Sequence, residues 1–409
     1  MKTYEEVRSW LYEQLPYYQK QGSIAYKPDL KKMQAFMRYL GNPHEAFSSI
    51  HVAGTNGKGS TSHMITSVLM EAGYKVGLYT SPHLKDFTER IKINGVEMDS
   101  KYVVDFVQDH QTYFLEARLS FFELTVGMAF SYFKQHQIEI AVVEVGLGGR
   151  LDATNVINPI LSVITNIGLD HTQFLGTKLD EIAREKAGII KPKIPVVIGE
   201  TQTETTNVFS EVANKHEAPI MWADQKLKSF FKTDLHGLYQ QKNIQTATVA
   251  LEGSSLDKIN KDCISRGLLN VTNNTGLLGR WQVLNHEPIV VADVTHNAEG
   301  FRYVVEQIRA TNYQNLHLVL GFVKGKKLED ILCMLPKDAD YYFCTPNIYR
   351  AEELSVLQDL AKNYKLNSNN FSTVVEAYES AFKNAQKRDF IYVGGSTFVV
   401  AEILKKNSL

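Results

Sequence analysis

Short apolar, β-branched runs alternate along this chain with segments in which apolar residues recur every third or fourth position. The first run, residues 48–53, stops at Gly54. From about Ser60 the period lengthens: Met64, Ile65, Val68, Leu69 and Ala72 share one helical face, and Gly73 ends it. Further runs at residues 76–79, 138–145, 160–167 and 194–198 predict strands. Strands alternating with helices predict an α/β fold whose sheet is mostly parallel.

Polar residues gather just past these runs. Thr80-Ser81-Pro82-His83 follows the second. Glu144 and Gly146-Leu147-Gly148-Gly149-Arg150 close the third, and Gly168-Leu169-Asp170-His171 follows the fourth. Open parallel sheets bind ligands at the carboxyl ends of their strands, so one site is expected there. Beyond Gln240 the chain turns helical, then rich in turn residues, with Asn273, Asn274, Gly276 and Gly279. A second α/β alternation follows, with strands at residues 289–293, 316–320, 341–344 and 390–393. The expected division is a first domain over 1–277, a linker over 278–286, and a smaller domain over 287–409. A chain of 409 residues can give each domain its own core.

Charge narrows the partners. Lys and Arg total 44 against 45 Asp and Glu, for a net charge of −1. That balance offers no basic surface for nucleic acid or an anionic membrane, and points to small substrates read by local charge. Three scattered cysteines, Cys263, Cys333 and Cys344, suit a reducing compartment. The charged N-terminus lacks the apolar run of a signal peptide, and no stretch approaches the roughly 20 apolar residues of a membrane span. A cytoplasmic protein is expected.

The loop Gly54-Thr55-Asn56-Gly57-Lys58-Gly59-Ser60 lies between a predicted strand and helix. Glycines let backbone N–H groups converge on phosphate oxygens, the helix start adds partial positive charge, and Lys58 adds a full one. The loop departs from G-x-x-x-x-G-K-[ST]: Gly59 replaces the metal-binding hydroxyl, and Ser60 comes one position late. A Mg²⁺ ion there would need oxygen ligands from elsewhere. Ser81 and Glu144, at neighbouring strand ends, are the candidates. Further along, Asp180 to Gly188 reads as a short helix with Ile182 and Lys186 on one face. Two readings of Lys186 stand side by side: a snorkelling side chain with its ammonium in water, or a desolvated amine of lowered pKa that reacts with carbon dioxide.

Taken together, these motifs resemble those of the folylpolyglutamate synthases, a branch of the Mur ligase superfamily. The resemblance runs through residues 51–60, Thr80-Ser81-Pro82-His83-Leu84, Glu89-Arg90-Ile91, Ser120-Phe121-Phe122-Glu123, residues 144–155, 168–171 and 185–189, in family order. It implies a large ATPase domain followed by a smaller Rossmann-like one. The implied reaction joins L-glutamate to the γ-carboxylate of a reduced folate through an acyl phosphate, releasing ADP and phosphate. By position, the loop from Gly54 to Ser60 would bind ATP, with Lys58 on its β- and γ-phosphates. Ser81 and Glu144 would ligate one Mg²⁺; His171 and a carbamylated Lys186 would serve a second. Room for K⁺ is also implied. Phe121, Phe122, Glu123, Gly149, Arg150 and Asp152 would lie near the folate, where aromatic walls suit a flat pterin.

In the second domain, Asn243 resembles a position near the adenine, although it precedes the boundary. Arg280 resembles a linker arginine that reaches phosphates. Asp293-Val294-Thr295-His296-Asn297 resembles Asp-Gly-Ala-His-Asn-Pro, with Val294-Thr295 replacing Gly-Ala and Ala298 replacing the proline. Asp293 would keep a nucleotide role, while His296 and Ser396 would help bind glutamate. His171 and His296 both stand as candidates for the base that deprotonates the amine. A monomer is expected. Rival readings are a bifunctional enzyme that also makes dihydrofolate from dihydropteroate, a Mur ligase acting on a UDP-sugar peptide, and a nucleotide-binding relative without ligase activity.

Overall fold

The computed structural model describes residues 3–14, 29–226 and 231–406. Their backbone forms two compact units. The first comprises residues 1–234 and 240–277, the second residues 235–239 and 278–409.

The first unit is built on an eight-stranded sheet. Its strands are β1 (Ser48–Ala53), β2 (Val76–Tyr79), β3 (Ile91–Ile93), β4 (Val96–Glu97), β5 (Ile140–Glu144), β6 (Leu161–Ile164), β7 (Val196–Ile198) and β8 (Ile220–Trp222). Their spatial order is β4-β3-β2-β5-β1-β6-β7-β8. The six from β2 to β8 run parallel; β3 and β4 add an antiparallel edge. Strand β1 is central, between β5 and β6, and its interior positions are all buried. Two-sided burial explains its unbroken apolar run. One face is covered by helices Ser100–Glu116 and Phe121–Gln135 around Phe114, Phe130 and Phe133. Helices Leu179–Ala187 and Thr203–Lys215 close around Ile164, Ile182 and Phe209. Helix Lys58–Glu71 is buried almost all round. It lies against the sheet and against helices Gln240–Glu252 and Lys261–Leu269.

The second unit holds a six-stranded sheet in the order β13-β12-β11-β14-β10-β9. Its strands are β9 (Gln282–His286), β10 (Ile289–Ala292), β11 (Leu316–Leu320), β12 (Asp340–Cys344), β13 (Asn367–Phe371) and β14 (Phe390–Gly394). All pair in parallel except β9, which returns antiparallel against β10. The stretch expected as a linker, 278–286, is therefore partly sheet: most of it is β9. Its polar sequence, Gln282-Val283-Leu284-Asn285-His286, is that of an edge strand. The short segment Leu235–Tyr239 also belongs here. Leu238 N donates to Gln307 Oε1 at 2.7 Å, and Gln307 Nε2 donates to His236 O at 2.8 Å.

Candidate active site

The carboxyl ends of β1, β5 and β6 meet at one edge of the first sheet, and the glycine loop leaves β1 there. Gly57 adopts φ 83° and starts helix Lys58–Glu71 with no side-chain cap. The first amides of this helix have no acceptor of their own within the helix, the condition for holding an anion. Thr55 and Asn56 are turned the other way. Their amides donate to Asn166 O and Asn166 Oδ1, both at 2.9 Å, and Thr165 Oγ1 donates to Asn56 O at 2.6 Å. A Cβ on Gly54 would lie 1.8 Å from Thr165 Oγ1, and one on Gly57 would lie 2.3 Å from Asn243 Oδ1. These two glycines are required by close approach as well as by backbone angle.

Asn243 thus sits directly against the loop. Its Nδ2 donates to Gln240 Oε1 at 2.8 Å, and Gln240 Nε2 donates to Ser60 Oγ at 3.3 Å. Asn166, Thr165 and Gln240 were not singled out by sequence reading. Asn166, two residues before Gly168 at a strand end, carried the same positional signal as Ser81.

Lys58 folds over its own loop, donating to Gly54 O and Thr55 O, both at 3.1 Å. Lys186 Nζ donates to the same Gly54 O at 2.8 Å. Lys186 is 4 % exposed, so the snorkelling alternative does not hold: its ammonium lies inside the protein. Burial, with the charge of Lys58 as a second cause, pushes its pKa down to about 7; Asp170 and Asp152 oppose the shift. His171 begins the short helix Thr172–Leu175 at φ 51°, its amide bonded to Asp170 Oδ1 at 2.8 Å.

Glu144 ends β5 and is buried. Its Oε2 accepts the Ser81 amide at 3.0 Å, which brings the Ser81 hydroxyl to the same corner. A hydroxyl and a carboxylate make an all-oxygen set that suits Mg²⁺. Among the described residues no group of three or more His, Cys, Asp or Glu could hold an ion by itself. A metal here would complete its shell with phosphate oxygens and water.

The loop after β5 is tightly held. Asp152 Oδ2 accepts from Leu147 N at 2.8 Å, and its Oδ1 accepts from Thr154 N at 3.0 Å and from the Thr154 hydroxyl. Burial pushes the Asp152 carboxyl up, against the pull of these donors. Arg150, half exposed, pairs with Glu185 at 2.7 Å. A Cβ on Gly149 would lie 2.9 Å from two backbone oxygens of Glu185 and Lys186.

The aromatic pair divides. Phe121 is 1 % exposed and belongs to the core, 5.8 Å edge-on from Phe87 with Arg90 over its face. Phe122 is half-buried and lies over Gly146, where a Cβ would meet its Cζ at 2.3 Å. Glu123 accepts from Ser120 N and Ser120 Oγ at 2.7 Å, closing a capping box at the start of helix Phe121–Gln135. Ser120-x-x-Glu123 is that motif in plain form, and its structural meaning was readable in the sequence.

In the second unit, Asp293 is 1 % exposed and each of its oxygens accepts twice. Oδ2 takes Tyr239 OH at 2.6 Å and Trp281 N at 2.7 Å; Oδ1 takes Thr295 N at 2.9 Å and the Thr295 hydroxyl. It thereby fixes both the Arg280-Trp281 turn and the segment leading to His296. His296 Nδ1 donates to Val294 O at 3.1 Å. Ser396 Oγ accepts from Val399 N at 3.3 Å and serves the start of helix Thr397–Lys406.

Comparison with known proteins follows this division. Residues 52–285 match the Mur ligase middle domain, and residues 279–397 match the Mur ligase glutamate ligase domain. The chain is 30 % identical to dihydrofolate synthase/folylpolyglutamate synthase of Bacillus subtilis, over 98 % of this chain and 99 % of that one. It is 33 % identical to a probable bifunctional folylpolyglutamate synthase/dihydropteroate synthase of Haloferax volcanii, covering 92 % of this chain but only 48 % of that longer protein. Among solved structures, Escherichia coli FolC in complex with DHPP and ADP superposes with TM-score 0.88 at 30 % identity, over 100 % of this chain and 98 % of that one. A bifunctional folylpolyglutamate synthase/dihydrofolate synthase with Mn, AMPPNP and L-glutamate bound gives TM-score 0.85 at 28 % identity, over 98 % of each chain. No helix among the described residues is long and apolar enough to cross a membrane. Two domain matches, near-complete overlap with these relatives and a shared two-unit α/β fold agree: the chain belongs to the Mur ligase family, in its folylpolyglutamate synthase/dihydrofolate synthase branch.

Proposed function

We propose that this protein uses ATP to join L-glutamate to the terminal carboxylate of a folate, by way of an acyl phosphate. The observation that carries the reading is the corner where Lys58 and Lys186 converge on Gly54 O beside the Ser81–Glu144 pair. The charge of Lys58, a buried amine open to carbamylation and an oxygen donor set at a phosphate loop suit a reaction that gathers a triphosphate and a carboxylate.

In the first step the γ-phosphoryl group moves from ATP to an oxygen of the folate carboxylate, and ADP leaves. Lys58 moves from its loop carbonyls to the β- and γ-phosphates, and the open amides of helix Lys58–Glu71 hold their oxygens. Mg²⁺, held by Ser81, Glu144 and the nucleotide, would neutralise charge; a second ion would be served by His171 and by a carbamate on Lys186, with K⁺ a further monovalent candidate. In the second step the glutamate amine attacks the acyl carbon, loses a proton, and expels phosphate. Asn243 borders the nucleotide, and Phe122, Gly149, Arg150 and Asp152 border the folate. From the second unit, Arg280 serves the phosphates, and His296 and Ser396 the glutamate. Phe121, Glu123 and Asp293 act by holding their neighbours in place. A monomer in the cytoplasm is the setting this reading assumes.

A second reading, dihydrofolate synthesis by the same chemistry, is favoured by the bifunctional relatives. The test is purified protein with MgATP and L-glutamate, offered dihydropteroate and tetrahydrofolate separately, with products weighed by mass spectrometry. Glutamate added to tetrahydrofolate supports the main reading, and addition to both supports the second. Addition to neither sinks both. Lys58→Ala should abolish ATP turnover while circular dichroism shows an intact fold; near-normal turnover would mean the phosphates lie elsewhere.

A further inference from the structure

His51 lies within β1, between Ile50 and Val52, and is wholly buried. Its Nε2 is 2.8 Å from Thr154 Oγ1. The Thr154 hydroxyl has one hydrogen, and it goes to Asp152 Oδ1. Thr154 can therefore only accept from the ring, which assigns the hydrogen of His51 to Nε2. A directed chain results: His51 Nε2–H to Thr154 Oγ1, then Thr154 O–H to Asp152 Oδ1. Burial first, then the charge of Lys191, pushes His51 down to about 3, so the ring stays neutral and this direction is permanent near neutrality.

The other ring nitrogen shows what the arrangement costs. Nδ1 is buried with no hydrogen-bond partner among the described residues. Leaving a buried acceptor bare costs on the order of 1–3 kcal/mol. An apolar residue like its neighbours Ile50 and Val52 would avoid that cost in a strand packed on both faces. Among the described residues its ring makes one hydrogen bond, to Thr154. A residue that gives up stability for one directed bond is better explained by what the bond holds than by packing.

We propose that His51 is a positioning residue of the ligase reaction, aiming the Asp152 carboxylate at the folate through the Thr154 hydroxyl. This rests on the reading of Asp152 as a folate contact. The chain also ties the strand that carries the phosphate loop to the loop after β5. Asp152, already fixed at Oδ2 by the Leu147 amide, is left one orientation only.

The test is steady-state kinetics on the full chain, with folate and ATP varied separately, for His51→Leu, His51→Gln, Thr154→Val and the double variant His51→Leu/Thr154→Val. Loss of a hydrogen bond that supports a carboxylate should raise KM for folate about tenfold. KM for ATP should stay within twofold. The amide of His51→Gln can donate to Thr154, so it should recover most of the loss. The double variant should be no worse than the worse single, because both break the same chain. A packing defect would behave differently. His51 is three residues from Gly54, so disorder in β1 would reach the phosphate loop first and raise KM for ATP. Parallel rises in both constants, or equal damage from His51→Gln and His51→Leu, would overturn the proposal. Should His51→Leu fail to fold, Thr154→Val alone decides, since it removes only the hydroxyl and keeps the shape. If the unmutated protein neither binds folate nor adds glutamate to it, the parent reading falls and this one with it.

Discussion

One carbonyl oxygen, that of Gly54, accepts from two lysines, and the one that arrives from the far helix is the buried one. Lys186 has a direct thermodynamic signature. Folded, it releases its proton near pH 7; unfolded, it keeps it to the ordinary lysine value of 10.5. Between those values the unfolded chain binds more protons, so stability should rise with pH across that window. Below about pH 7 the amine is charged in both states and the full cost of burying it remains. Lys186→Met should flatten the rise, which melting temperatures of both proteins from about pH 6.5 to about pH 9 would reveal; parallel curves would mean the amine is not desolvated. A neutral amine is also what carbamylation requires, so carbon-13 labelled carbon dioxide should give a carbamate resonance in the unmutated protein and none in Lys186→Met. At this scale placement was legible: Lys58 opens the helix after β1, Glu144 ends β5, and Ser81 follows β2 with its amide on Glu144. The resemblance implied ligand roles for Glu123 and Asp293; the capping box that engages Glu123 was legible in Ser120-x-x-Glu123, whereas a strand-end carboxylate such as Asp293 looks the same whether its lone pairs face a substrate or a neighbouring amide.

At the scale of elements, helix Lys58–Glu71 has no solvent face to speak of, and its neighbours approach backbone to backbone. A Cβ on Gly267 would lie 2.5 Å from Val68 Cα, and Ser67 Oγ donates to Gly267 O at 2.6 Å. Gly267→Ala would gain up to about 1 kcal/mol in helix propensity. Overpacking against an immovable backbone costs about 1–3 kcal/mol, and the clash should win. A net loss of about 1 kcal/mol or more in urea unfolding is expected; a gain would mean the helices part without cost. The strands buried along nearly all their length, β1, β2, β5, β6, β7, β10, β11, β12 and β14, were all legible as apolar runs. The edges were not. Strand β13 reads Asn367-Ser368-Asn369-Asn370-Phe371, and β9 is mostly polar. Edge strands draw their order from one neighbour and from water, so they leave no apolar signature.

On the scale of the whole molecule, each unit closes its own core, around Phe114 and Phe130 in the first and around Phe301 and Tyr392 in the second. Ligands should add to this intrinsic stability by mass action. A nonhydrolysable ATP analogue with Mg²⁺, at about 100 times its dissociation constant, should add roughly 2.7 kcal/mol. The melting temperature should fall back when a chelator removes the metal, and Lys58→Ala should show little of the gain. An equal shift with and without metal would place the nucleotide away from Ser81 and Glu144. The two-unit division was legible because apolar alternation stops and restarts around the turn-rich stretch before Gly279. Residues 235–239 gave no such sign, being too short to carry a period.

That short segment has a consequence for how the chain can be cut. The backbone enters the second unit at Leu235, leaves it after Tyr239, and returns only at Leu278. A gene severed between codons 277 and 278 would deliver Tyr239 with the wrong half. The downstream fragment would keep every strand of its sheet, yet lose the phenol on Asp293 Oδ2 and the backbone partners of Gln307. The two halves of this ligase are therefore interlaced rather than strung end to end, and neither can be exchanged for a relative's counterpart at a single splice.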